Sequence, residues 1–141
     1  MDATVTWKQG LSFDCTASTG FTLPLGASPA VGGDNDGFRP MELILSGLIG
    51  CTAMDVISIL QKKRQNITEF RVFGHATRAE EHPKVFTKIT LEYQITGKGI
   101  DEEAVRRAIE LSETKYCPAQ AMLSQVVSIS HIYSVQEDDE S

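Results

Sequence analysis

Apolar and polar residues alternate through the first 26 positions: Thr4-Val5-Thr6-Trp7-Lys8, then Leu11-Ser12-Phe13-Asp14-Cys15, then Phe21-Thr22-Leu23. A period of two marks half-buried strands, and Gly10 and Gly20 fall between the runs at turn spacing, so 1–26 reads as a short antiparallel meander. Residues 27–39 collect Pro29, Gly32, Gly33, Asp34, Asn35, Asp36 and Gly37 with no hydrophobic period. That is the composition of a loop, free to move and to carry function.

The period changes at Pro40, whose fixed φ and missing N–H suit a first helical position, and a central helix is predicted over 40–65. Apolar residues cover nearly its whole circumference from Leu43 to Leu60, and Gln61, Lys62, Lys63 and Arg64 complement the dipole at its end. A helix apolar on every side needs cover on every side. Gly47 and Gly50 cost about 1 kcal/mol each relative to alanine, which close approach by another backbone explains. A β-hairpin follows over 66–96, with a polar tip at Ala79 to Lys84. Helices over 101–123 begin at an Asp101 cap, present Val105, Ala108, Ile109 and Leu111 as one stripe, end near Tyr116 and restart at Cys117-Pro118. A closing strand takes 126–135, and the acidic tail 136–141 reads as a solvated, frayed end.

This order has too few β-α-β crossovers for a doubly wound parallel sheet. The fold class is α+β, one domain over 1–141, with antiparallel sheets against a long buried central helix. So few other elements cannot cover such a helix within one chain, and an intertwined homodimer is the economical answer.

Composition narrows the function. With 141 residues, 41% hydrophobic and 23% charged, the chain suits one globular domain and excludes disorder and collagen. A net charge of −6 repels phosphate backbones and anionic lipid, so neither nucleic acid nor a membrane is an expected partner. The longest apolar run, from Leu43 to Leu60, is interrupted by Ser46, Asp55 and Ser58 and falls short of a membrane span of about 18 to 20 apolar residues. Without a basic segment leading into an apolar one at the start, the default location is cytoplasmic. Three cysteines there cannot all pair, so any pair is redox-active or merely buried.

Cys51, at mid-helix among Leu48, Ile49 and Gly50, reads by itself as a small hydrophobe. Cys117 stands just before Pro118, at the cap of a helical turn whose free N–H groups favour a thiolate, with Lys115 two residues away. Structural and reactive roles are evenly balanced for it. The two thiols are 66 residues apart, unlike C-x-x-C or zinc-ribbon spacing, so only the fold can bring them together. His75, His82 and His131 lack ligand spacing, and no metal and no organic cofactor is expected. Cys15 and Trp7 read as packing, and Gly32-Gly33 lacks the setting of a nucleotide loop.

The blocks Arg39-Pro40-Met41-Glu42-Leu43-Ile44-Leu45-Ser46-Gly47-Leu48-Ile49-Gly50-Cys51 and Tyr116-Cys117-Pro118-Ala119-Gln120-Ala121-Met122-Leu123 resemble the OsmC/Ohr family. The resemblance implies an intertwined homodimer with curved sheets around central helices, thiol sites at the interface, and reduction of small organic hydroperoxides. It makes Cys51 the peroxidatic cysteine, oxidised to a sulfenic acid, and Cys117 the resolving cysteine. Their disulfide is returned to thiols by an external dithiol reductant.

The resemblance also implies an Arg–Glu pair that holds the first cysteine as thiolate. Met41 stands where the glutamate typically follows the proline, with Glu42 one position later; nine residues of helix put Glu42 on the face opposite Cys51, roughly 13 Å along the axis. Arg39, the one arginine before the helix, is the candidate activating group. Asp55, one turn after Cys51, opposes a thiolate by its charge. The alternative to a hydroperoxide reductase is a non-enzymatic dimeric binding or stress-response protein that keeps the fold and an apolar ligand cleft.

Overall fold

The structure is a computed structural model, and it describes residues 1–140. The last position of the acidic tail, Ser141, lies outside the described residues. The chain divides into two compact units, Met1–Ile44 and a second that begins at Leu45.

In the first unit β1 (Ala3–Gln9), β2 (Ser12–Ala17) and β3 (Thr22–Leu25) form an antiparallel sheet in sequence order. Val5, Cys15 and Leu23 lie in register across it. Gly10 and Gly20 both have positive φ, at 49° and 89°, which explains glycine at the two turns. Every residue of β1 is exposed. The 27–39 segment is less free than its composition suggests. Gly26 N–H donates to Phe38 O (3.0 Å), Phe38 N–H donates to Pro24 O (2.9 Å), and Ser12 Oγ donates to Asp36 Oδ2 (2.6 Å). A Cβ on Gly37 would lie 2.6 Å from the Pro24 carbonyl, so only glycine lets the segment lie down on β3.

Helix α1 (Pro40–Lys62) has its first turn in this unit and the rest in the second. There β4 (Asn66–Arg78), β5 (Phe86–Lys98) and β6 (Ser128–Glu137) form a sheet with β5 at its centre. The β4–β5 hairpin is antiparallel, as its sequence predicts, but β5 and β6 pair in parallel over Lys88–Gly97 and Ser128–Glu137. The connection that returns the chain to the same edge is helical: α2 (Glu102–Leu111), a π-helical turn (Ser112–Tyr116) and α3 (Pro118–Leu123). Such a helical crossover is what parallel pairing requires.

The core alternates along β5 as Ile89, Leu91, Tyr93 and Ile95, all buried. It is completed by Leu48, Thr52, Val56 and Leu60 of α1, four residues apart on one face, and by Ala104, Val105, Ala108 and Ile109 of α2. Within the protomer α1 buries one stripe and leaves Met54 73% exposed, in line with the expectation that one chain has too few elements to cover it. No atom outside the helix comes within 4 Å of a Cβ placed on Gly47 or Gly50, so neither serves a close approach in this chain. That role falls to Gly74 of β4, where a Cβ would lie 2.5 Å from Ile49 Cδ1 and 3.0 Å from Leu45 Cδ1.

Contrary to the sequence reading, α1 is by length and composition long and apolar enough to cross a membrane; its 18-residue window has a mean hydropathy of 2.1. The interruptions at Ser46, Asp55 and Ser58 are too few to offset the surrounding Leu and Ile. The acidic tail is also more ordered than expected. Glu137 closes β6 and accepts from Gly99 N–H (3.2 Å), and Asp138 N–H donates to Gly97 O (2.8 Å).

Candidate functional site

Cys51 and Cys117 meet in the second unit. Their sulfurs and a carboxylate oxygen of Asp55 all lie within 4.8 Å of one another. Cys51 and Asp55 are four residues apart on α1, hence on one face. Cys117 arrives through the π-helical turn, which Cys117 N–H closes on Ser112 O at 2.9 Å across five residues. Pro118 at the first position of α3 then leaves Cys117 as its cap, where the sulfur accepts from Gln120 N–H at 3.4 Å.

The cap is where the sequence puts it, and of the two evenly balanced roles the surroundings favour the neutral thiol. Cys117 is only 3% exposed, and burial pushes its thiol up to about 11. The hydrogen bond to Cys51 acts in the same direction, against the Gln120 N–H. Cys117 is therefore held as a thiol facing Cys51. The Lys115 ammonium sits 5.2 Å over the ring of Tyr116.

Under the thiols lies a buried polar network that the sequence did not announce. Thr52 Oγ1 bonds Tyr93 Oη (2.8 Å), Ser112 Oγ (2.8 Å) and Gln120 Nε2 (3.1 Å). Donor directions follow by elimination. Asp55, as a carboxylate, only accepts, so Ser112 spends its proton on Asp55 Oδ2 (3.0 Å) and must accept from Thr52. Thr52 in turn accepts from Tyr93 and Gln120, which fills both its lone pairs. At the far end His131 Nε2 lies 2.8 Å from Gln120 Oε1, an oxygen that only accepts, so this nitrogen carries the proton. The donors His131, Gln120, Thr52 and Ser112 thus point in sequence toward Asp55. Among the described residues no buried side-chain nitrogen or oxygen lacks a partner.

Two titration shifts belong to this network. Burial pushes the Tyr93 phenol up to about 12, against its bond to Thr52, and keeps it a donor. Burial lowers the His131 pKa, opposed by Glu113, whose carboxylate is 3.6 Å from Nδ1. The sequence signal for these residues was weak. Thr52 follows Cys51, and Gln120 follows Cys117-Pro118-Ala119, but Ser112 lies beyond the stripe read for 101–123 and Tyr93 in a hairpin strand read for no chemistry.

The other sequence candidates have local roles. Arg39 and Glu42 lie in the first unit, where Glu42 Oε1 accepts from Arg39 N–H (2.8 Å) and caps α1. The Arg39 guanidinium donates to Asn35 Oδ1 (2.6 Å) and Gly37 O (3.1 Å). His75 pairs with Glu92 at 2.9 Å on the exposed surface of the β4–β5 hairpin. Beside the thiols, Asp55 also lines a cavity of about 370 Å³ with Ser58, Ile59, Lys62, Lys63, Leu111 and Tyr116.

Comparison with known proteins places the chain in a family. The sequence pattern of the family described as "OsmC-like protein" matches residues 33–131, which take in both cysteines. The chain belongs to the OsmC-like family. Protein YhfA of Escherichia coli K12 is 39% identical over 135 residues, covering 96% of this chain and 98% of its own. The fold is shared with the OsmC-like protein of Mycoplasma pneumoniae (20% identity, TM-score 0.81, 96% of each chain). It is also shared with a Legionella pneumophila structure titled organic hydroperoxide resistance protein OsmC (18% identity, TM-score 0.66, 96% and 95% of the chains).

Proposed function

We propose that the protein is a thiol-dependent reductase of small organic hydroperoxides, cycling through a Cys51–Cys117 disulfide. The observation that carries this reading is the approach of the two sulfurs to within 4.8 Å, a gap that side-chain rotation closes to bonding distance. The Cys51 thiolate attacks the O–O bond, which breaks to give a Cys51 sulfenic acid and, with one proton, the alcohol. The Cys117 thiol then attacks the sulfenic sulfur; the S–S bond forms and its proton leaves with the hydroxyl as water. An external dithiol restores both thiols, which suits a reducing, cytoplasmic setting. The cavity beside Asp55, with Ile59, Leu111 and Tyr116 in its wall, supports an apolar peroxide substituent. The organic hydroperoxide resistance named for the Legionella structure agrees with the same chemistry.

The working state in this reading is a homodimer. The uncovered face of α1, the open flanks of Gly47 and Gly50, and the exposed strand β1 support a second copy as their cover. Arg39 and Glu42, joined at the start of α1 through the Arg39 backbone N–H, are assigned to activation of Cys51 in that assembly. The alternative is a non-enzymatic binding protein of the same fold, favoured by Met41 in place of the family's carboxylate and by Asp55 beside the thiols.

Steady-state consumption of cumene hydroperoxide with a dithiol reductant separates the two. The reductase reading predicts turnover that Cys51→Ser abolishes, and a sulfenic acid that a dimedone probe traps in Cys117→Ser. No turnover, and no trapped acid, would leave the binding reading.

A further inference from the structure

We propose that the reduced pair and Asp55 form a site for one soft divalent cation of the zinc class, held by the sulfurs of Cys51 and Cys117 and one Asp55 carboxylate oxygen. This goes beyond the reductase reading, because it concerns what the site binds when no peroxide is present. Three observations point to it.

The first is the donor set and its span. Tetrahedral zinc, with Zn–S near 2.3 Å and Zn–O near 2.0 Å, separates its ligand atoms by roughly 3.5 to 3.8 Å. The three atoms here already lie within 4.8 Å, so closing on an ion needs movements of about 1 Å that side-chain rotation supplies. Two thiolates and a carboxylate select a zinc-class ion over calcium or magnesium. Three protein ligands leave a fourth position for water or an incoming thiol.

The second is the support behind each ligand. Ser112 holds Asp55 Oδ2 at 3.0 Å and leaves Oδ1 unoccupied by that bond, while Gln120 N–H steadies the Cys117 sulfur at 3.4 Å. Thr52, itself fully bonded, fixes Ser112. Outer hydrogen bonds of this kind orient metal ligands and tune their affinity.

The third is charge. Among the described residues of this unit no Lys or Arg nitrogen lies within 4.0 Å of the Asp55 carboxylate. A carboxylate without a cationic partner is free to join the two sulfurs on a divalent ion, which takes the place of the two thiol protons and leaves the net charge of the site unchanged. Asp55 also lines a cavity with Leu111 and Tyr116, so this ligand is reached from outside the core.

Ion and disulfide exclude one another. When a hydroperoxide oxidises the loaded pair, the two sulfurs give up two electrons to the O–O bond. Two protons from solvent complete one alcohol and one water, and the ion leaves with its charge unchanged.

The test titrates reduced, metal-free protein with Zn²⁺ against a chromophoric chelator, and with Co²⁺ followed by absorbance. One ion per chain is expected, with a thiolate-to-cobalt charge-transfer band in the near ultraviolet. Cys51→Ser and Cys117→Ser weaken binding at least as much as loss of an outer-shell partner, about 10- to 100-fold, and so does Asp55→Asn, which keeps the size of the side chain. Wild-type protein oxidised to the disulfide releases the ion without any substitution. Absence of binding, a cobalt spectrum without the thiolate band, or affinity unchanged in all three variants overturns the site; the last result assigns the ion to surface carboxylates. Zinc binding with inertness to hydroperoxide overturns the reductase and upholds this site, whereas the reverse overturns this site alone.

Discussion

Thr52 shows how much a single small side chain can organise. Its hydroxyl joins three elements through Tyr93, Ser112 and Gln120, all in the protein interior. Thr52→Val keeps the shape but strands the Tyr93 hydroxyl and Gln120 Nε2, each costing about 1 to 3 kcal/mol, while Ser112 keeps its bond to Asp55. Urea denaturation should show a loss of about 3 kcal/mol, and a loss under about 1 kcal/mol would mean the network is not shared as described. His131 supplies a pH signature. Burial holds its folded pKa below the ordinary value near 6.5, so below that pH the unfolded chain takes up a proton that the folded chain refuses. Stability is therefore present above about 6.5 and falls as pH drops toward the depressed folded value. His131→Gln, which still offers Gln120 a donor, should flatten the fall between about pH 7 and 5 seen by thermal melting. An unchanged slope would place the titration elsewhere.

At the scale of elements, the close contact of helix and sheet rests on Gly74 rather than on the glycines of α1. Gly74→Ala puts a methyl against the side-chain ends of Ile49 and Leu45, which must turn aside, and overpacking of this kind costs about 1 kcal/mol. A variant as stable as the wild type in denaturant would show that α1 has room to lift. Much of this level was legible in the sequence. Alternation marked β1 to β3, a polar tip at Ala79 to Lys84 marked the β4–β5 hairpin, Pro40 and Asp101 marked helix starts, and Pro118 placed Cys117 at a cap. Parallel pairing of β5 with β6 was not legible, because strand order is set by where the α2–α3 crossover packs and not by local period. The polar network was missed for a related reason. Its members are scattered from Thr52 to His131, and each looks ordinary beside its own neighbours. The evenly balanced roles of Cys117 tip toward the thiol because burial and the Cys51 thiol outweigh the Gln120 and Ala119 N–H groups at the cap.

For the whole molecule the unspent surface is the informative feature. Helix α1 buries one stripe, and Met54, Ile44 and the residues of β1 remain open. Light scattering should report a dimer, and Met54→Glu should shift it toward monomer; a wild-type monomer would remove the cover we assign to α1. The most direct measurement of the central claim treats reduced, metal-free protein with one equivalent of cumene hydroperoxide and maps its peptides by mass. The account predicts loss of two hydrogens per chain, located in a Cys51–Cys117 crosslink that Cys51→Ser abolishes. Peroxide that persists while both thiols stay reduced, or a crosslink that runs instead to Cys15, would contradict it.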